Sequence, residues 1–270
     1  MSIKLIAVDM DGTFLSDAKT YNRQRFLSQY RRMREQDIRF VVASGNQYYQ
    51  LISFFPEVAD EIAFVAENGG WVVNAGDDVF NCRMPKEHFH AVIDFLQTLP
   101  EIEIIACGKR SAYTLNRYND ELKAVAAKYY HRLELVDDFN NLDDAILKFG
   151  LNVPDNLIPE MQPKLHAALG EMVNAVATGY GSIDLIMPGV HKANGLRILQ
   201  ERWGIENHQV VAFGDSGNDI EMLQHAGFGY AMANAAAPVK AVAGYDAPHN
   251  NEEGVLHIID KVLNREAPFA

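Results

Sequence analysis

Over the first third of this chain, hydrophobic positions follow a rhythm of buried strand and one-sided helix. Leu5 to Val8 is continuously apolar and stops abruptly at Asp9, Asp11 and Gly12, which reads as a short strand covered on both faces. Tyr21 to Gln36 then sets Phe26, Leu27, Tyr30 and Met33 on one side of a helix. Asp37 precedes "IRFVVASGN", a second buried strand whose apolar part ends at Ala43 and Ser44. A helix over Tyr48 to Phe55 is closed by Pro56, and "IAFVAENGGWVV" reads as a strand, a Gly-Gly turn and a strand.

From about residue 84 to residue 187 the texture changes to alternation. "IEIIACG", "SAYTLN" and "SIDLIMP" surround helical stretches near His88 to Leu99, Asp120 to Tyr130 and Pro159 to Leu169. Paired strands joined by turns predict an α+β module with an antiparallel sheet. The first rhythm returns in "HKANGLRILQERWG", a helix, and in "QVVAFGDSGNDIEMLQHAG", a buried strand and a helix beginning near Ser216. "GFGYAM" adds a strand, followed by short helices near Ala236 to Ala243 and over Glu253 to Leu263. The prediction is an α/β fold: a Rossmann-like parallel-sheet core of residues 1–83 and 188–270, with residues 84–187 inserted as an α+β domain.

A chain of 270 residues has room for one large or two ordinary domains, and 48% hydrophobic with 22% charged residues is an ordinary globular mix. The net charge of -12 argues against nucleic-acid binding through overall charge. It also means that an anionic substrate needs a local positive centre, such as a divalent metal with one or two lysines. The two cysteines, Cys82 and Cys107, form no C-x-x-C pair and fit a reducing compartment. The opening apolar run is too short for a secretory signal, and no apolar stretch is long enough to span a membrane. A cytoplasmic protein with no membrane or nucleic-acid partner is expected.

The candidate chemistry lies where the buried strands end. Asp9 and Asp11 repel each other there, and a bound cation or a proton on one of them would make their closeness tolerable. A turn or cap explains either acid alone. "GDSGND" repeats the theme after another strand, with Asp215 near a helix N-cap and Asp219 in its first turns. Capping explains one acid but not two strand ends with two each. Carboxylates converging on one sheet edge suit a hard cation such as Mg2+. Ser44 before Gly45 could offer a hydroxyl and backbone N–H groups to a phosphoryl oxygen, although a helix cap explains it nearly as well. Lys192 opens a helix, where the dipole disfavours a cation unless an anion sits nearby.

Taken together, "DMDGT", "VVASGN", "HKANGL" and "GDSGND" resemble, in order and spacing, the four motifs of the haloacid dehalogenase-like phosphatases. The large module between the second and third motifs is similar to Cof-type members with a class IIB cap, and the likeness is greatest to enterobacterial sugar phosphatases. The resemblance implies that Asp9 is a nucleophile forming an aspartyl phosphate and that Asp11 is its acid–base partner. It implies Mg2+ held by Asp9, the Asp11 carbonyl and Asp215, with Asp219 supporting. Thr13, Ser44, Gly45, Lys192 and Asn218 would hold the phosphoryl group of a small phosphate monoester. Many relatives have a basic residue after the second-motif glycine, where this chain has Asn46. Neutral contacts to sugar hydroxyls are therefore expected there. The competing expectations are a sugar phosphomutase, which shares the covalent chemistry, and a non-catalytic receiver-like or sugar-binding protein.

Overall fold

A strand with no polar side chain is stable only where both of its faces are covered. In the computed structural model, which describes residues 2–179 and 181–270, β1 (Leu5–Val8) is wholly buried inside an eight-stranded sheet. The chain continues through α1 (Arg23–Glu35), β2 (Arg39–Ala43), α2 (Tyr48–Phe54), β3 (Ala63–Ala66), β4 (Trp71–Asn74) and β5 (Asp77–Asn81). It crosses to a second sheet through α3 (Lys86–Leu96), β6 (Glu103–Gly108), β7 (Ala112–Leu115), α4 (Asp120–Tyr129), β8 (Leu133–Val136), β9 (Ile146–Asn152), α5 (Ile158–Leu169), β10 (Asn174–Gly179) and β11 (Ser182–Ile186). It returns through α6 (Lys192–Trp203), β12 (Val210–Gly214), α7 (Ile220–His225), β13 (Phe228–Met232), α8 (Ala237–Val242), β14 (Tyr245–Ala247) and α9 (Gly254–Asn264). Among the described residues, no helix is long and apolar enough to cross a membrane.

The first sheet has the order β14-β13-β12-β1-β2-β3-β4-β5, parallel from β14 to β3 and antiparallel beyond. This is the predicted α/β core. The second sheet runs β10-β11-β9-β6-β7-β8, and all its pairs are antiparallel except β7–β8, which α4 joins as a crossover. That parallel pair departs from the expected all-antiparallel module. Each sheet has its own large apolar cluster, one including Leu5, Val41 and Phe213, the other Phe89, Phe149 and Leu185.

Side chains tie the two sheets together. Gln47, just before α2, donates Nε2 to the Arg132 carbonyl at 2.8 Å and accepts the Arg132 N–H at 2.9 Å, as a neighbouring strand would. The Arg132 guanidinium lies 3.6 Å from the Tyr49 ring centre, and Lys109 pairs with Asp78.

Two details place the reactive ends. Phe14 packs against Phe26 and Phe55 at 5.4 and 5.7 Å between ring centres, anchoring the loop after β1. Helix α6 lies so close to β3 that a Cβ on Gly195 would come within 2.3 Å of Val65 Cγ1. Gly195→Ala should therefore destabilise the fold by about 1–3 kcal/mol through overpacking, despite a helix-propensity gain of about 1 kcal/mol. Denaturant melts should show that loss and its recovery when Val65→Ala is added. A more stable Gly195→Ala single variant would mean that α6 sits further from the sheet.

Candidate active site

In the sheet order β12-β1-β2-β3, four neighbouring parallel strands end at one edge, and polar residues follow each of them. Asp215 follows β12, Asp9 follows β1, Ser44 follows β2 and Glu67 follows β3. Residues far apart in sequence thus meet at the carboxyl edge, where open α/β sheets bind ligands. A cleft over this edge is lined by Asp9, Asp11, Ser44 and Asn46 below and by residues of the second sheet and α4 above.

Lys192 is fully buried and donates to Asp9 Oδ1 at 2.5 Å and Asp219 Oδ1 at 2.7 Å. The anionic partner that its helix-opening position called for is present twice. Asp219 does not sit in a regular first turn as expected. A single 3-10 turn, Gly217–Asp219, intervenes, and Asp219 Oδ2 reaches back to the N–H groups of Asp215 and Ser216 at 3.0 and 3.1 Å. Thr13 donates to Asp215 Oδ1 at 3.0 Å, and Ser216 donates to Oδ2 at 3.1 Å. Gly12 has φ +76°, and a Cβ there would stand 2.5 Å from Asp215 Oδ2, so only glycine allows the two loops to approach.

Asp11 takes different partners. Lys19 donates to its Oδ1 at 2.5 Å and Asn46 donates to its Oδ2 at 2.6 Å. Asn46, expected to meet substrate, spends its amide on Asp11. Its backbone N–H also donates to Ser44 Oγ at 3.1 Å, while the Gly45 carbonyl accepts from Lys148 at 2.7 Å. Asn218 donates to Asn68 Oδ1 at 2.9 Å. Lys19, Lys148, Asp184, Glu67 and Asn68 were missed in sequence. "AENGGW" reads as a plain turn, yet Glu67 and Asn68 are both buried, which nothing in their polar character announces.

The site is short of positive charge. Among the described residues, Asp9, Asp215 and Asp219 are the one group of three acidic, histidine or cysteine side chains that could hold a metal, with donor atoms within 4.8 Å of one another. Burial, then the charge of Asp219, pushes Asp9 well above the usual carboxylate range, although Lys192 partly opposes this. Burial and Asp219 likewise push Asp215 up to about 6. Burial disfavours the Lys192 charge, but Asp219 and Asp9 outweigh it and hold its pKa above the ordinary lysine value. Three hard oxygen donors with one ammonium between them fit a divalent cation such as Mg2+. Farther along the edge, burial pushes Glu67 up to about 7.

The sequence model of the haloacid dehalogenase-like hydrolase family matches residues 6–259. The Escherichia coli (strain K12) protein named 5-amino-6-(5-phospho-D-ribitylamino)uracil phosphatase YbjI is 67% identical over 269 residues, covering 100% of this chain and 99% of that protein. A Bacillus subtilis (strain 168) protein with the same activity in its name, YitU, is 26% identical, covering 96% of this chain and 97% of that protein. The solved structure of SMU.1108c from Streptococcus mutans UA159 superposes with a TM-score of 0.93 and 36% identity, over 97% of this chain and 100% of that one.

A folded pKa near 6 for Asp215, against an ordinary 3.8, means that the folded chain binds more protons than the unfolded one between those values. The associated stability is present at low pH and is lost as pH rises through about 6. In chelator, Asp215→Asn should therefore melt above the native chain at neutral pH, with the gap closing by about pH 4. Mg2+ should raise the native melting temperature at neutral pH and leave Asp215→Asn nearly unmoved. Parallel melting curves at every pH, and equal shifts with Mg2+, would mean that this carboxylate is neither crowded nor a ligand.

Proposed function

This chain belongs to the haloacid dehalogenase-like hydrolases and is a phosphoric monoester hydrolase, and we propose that it works by covalent phosphoryl transfer to Asp9. The observation that carries this reading is the opposite setting of two acids at one strand end. Asp9 is buried against Lys192, whereas Asp11 lies nearer the opening, held at both oxygens by Lys19 and Asn46. One acid is placed to attack and the other to move a proton.

In this reading an Asp9 carboxylate oxygen attacks phosphorus and the ester P–O bond breaks, giving an aspartyl phosphate. The departing alkoxide takes a proton from Asp11. Asp11 then accepts a proton from the water that attacks phosphorus, which frees Asp9 and inorganic phosphate. Lys192 opposes charge on the phosphoryl oxygens, the Ser44–Gly45 loop and Asn218 position them, and Thr13 orients Asp215. Mg2+, held by Asp9, Asp215 and the Asp11 carbonyl with Asp219 behind them, would supply the further positive charge that phosphoryl transfer requires. Phosphomutase chemistry would share the first half of this sequence.

Residues 84–187 are assigned as a cap on a core of residues 1–83 and 188–270. The cap side of the cleft has two textures. Leu122, Val125 and Tyr129 of α4 form an apolar strip, while Asn152, Thr178 and Ser182 offer hydrogen bonds. That pairing suits an ester whose leaving group joins a flat ring to a polyhydroxyl chain. A phosphorylated ribitylamino pyrimidine, as in the names of the two phosphatase relatives, has both. The sugar-phosphate expectation narrows accordingly to a polyol phosphate carrying a ring. Two free, buried cysteines suit a reducing cytoplasmic setting.

Asp9→Asn should cut phosphate release by about 10^3-fold or more, while the variant still melts cooperatively, because the change relieves carboxylate crowding. Retained turnover within tenfold would remove Asp9 as nucleophile. Among esters, the phosphorylated ribitylamino pyrimidine should exceed hexose phosphates in kcat/KM by about tenfold or more. Equal values would leave the apolar strip without a role in selection.

A further inference from the structure

Lys148 and Asp184 lie on adjacent strands of the second sheet, β9 and β11, and both are buried although neither belongs to the catalytic group. Lys148 donates to Asp184 Oδ2 and to the Gly45 carbonyl, each at 2.7 Å, and stands 3.4 Å from Glu67 Oε2. Asn68 donates to Asp184 Oδ2 at 2.5 Å, while its own Oδ1 accepts from Asn218. A buried ion pair is weak evidence for stability, since apolar residues of similar volume often serve as well. What this pair grips is the more telling fact.

Each contact ends on a loop of the proposed reaction centre. Gly45 lies between Ser44 and Asn46, the residue that holds Asp11. Asn218 lies between Asp215 and Asp219. The turn of Glu67 and Asn68 abuts the residue before Lys192, because a Cβ on Gly69 would come within 2.4 Å of the His191 carbonyl oxygen. Glu67 and Asn68 hold left-handed backbone angles, φ +51° and +56°, that side-chain-bearing residues rarely adopt. Glu67 Oε2 is buried with no hydrogen-bond partner, and Lys148 is the cation facing it. The turn is thus held in a costly shape with its polar groups directed at the second sheet.

We propose that Lys148 and Asp184 are positioning residues for hydrolysis, a charge pair on the second sheet that fixes the Ser44–Asn46 loop and the Glu67–Asn68 turn, and through Asn46, His191 and Asn218 the placement of Asp11, Lys192 and Asp215. The inference rests on the covalent reading of the site and adds to it. A contact to the leaving group would affect esters unequally and act largely on KM. A positioning pair should lower kcat by the same factor for unlike esters.

The test uses the full chain with Mg2+ and two substrates, p-nitrophenyl phosphate and glycerol phosphate. Asp184→Asn, nearly isosteric, should lower kcat about 10- to 100-fold for both, with KM within about threefold. Lys148→Met combined with Asp184→Leu removes both charges of the pair but leaves Glu67 and the Gly45 carbonyl without Lys148, so it should melt below the native temperature and keep the kcat deficit. Native kcat in either variant, or losses confined to KM or to one ester, would overturn the proposal. If the double variant does not fold, Asp184→Asn alone decides. Native protein that hydrolyses neither ester would instead refute the proposed function, so the two failures are distinguishable.

Discussion

Three carboxylates around one buried ammonium form the constraint on which the rest of the structure depends. Asp9, Asp215 and Asp219 lie within 4.8 Å of one another, and Lys192 pairs with two of them. Such a group is intrinsically repulsive in a low-dielectric setting, and loss of its one ammonium would leave the carboxylates without a compensating charge. The chain holds it by committing backbone: N–H groups of the 214–216 turn bind Asp219, and the hydroxyls of Thr13 and Ser216 bind Asp215. The negative charge that remains is what a divalent cation, with phosphate beside it, would offset in the proposed reaction.

The sheet makes this arrangement possible. Parallel strands deliver their carboxyl ends to one edge, so the order β12-β1-β2-β3 sets out Asp215, Asp9, Ser44 and Glu67 as neighbours. Helix α6 adds Lys192 from its first position, and Gly195 lets that helix approach β3 closely. An alanine one turn into α6 would therefore reach the ammonium through the packing of an apolar strand.

Much of the fold was legible because its signals are local. Leu5–Val8, Arg39–Ala43 and Val210–Gly214 are apolar runs that end in acids, serine or glycine, and the polar residues after them supply the proposed site. The second sheet was less legible. Strand β9, "ILKFGLN", carries Lys148 and Gly150 within a largely apolar run, and burial of that lysine is made tolerable by Asp184 on the adjacent strand together with Glu67 and the Gly45 carbonyl. Strands β5 and β14 are short and partly exposed, so burial left little mark on their composition. Lys19 reaches Asp11 from a left-handed turn at φ +57°, a conformation that its residue type does not advertise.

Asp9 and Asp11 show how far environment outweighs sequence proximity. They are the same residue type two positions apart, yet burial and Asp219 make charge costly on Asp9, while Lys19 and Asn46 bind both oxygens of Asp11. A cation at Asp9 would reverse that cost and leave a carboxylate ready to attack, without altering the partners of Asp11. Unlike environments are what allow two carboxyl groups to divide attack and proton transfer between them. The second sheet bears on that division directly, because Lys148 holds the carbonyl next to Asn46 and Asn46 holds Asp11. Packing of the second sheet on the Ser44–Asn46 loop is thereby coupled, through Asn46, to the orientation of Asp11, the acid proposed to transfer the proton.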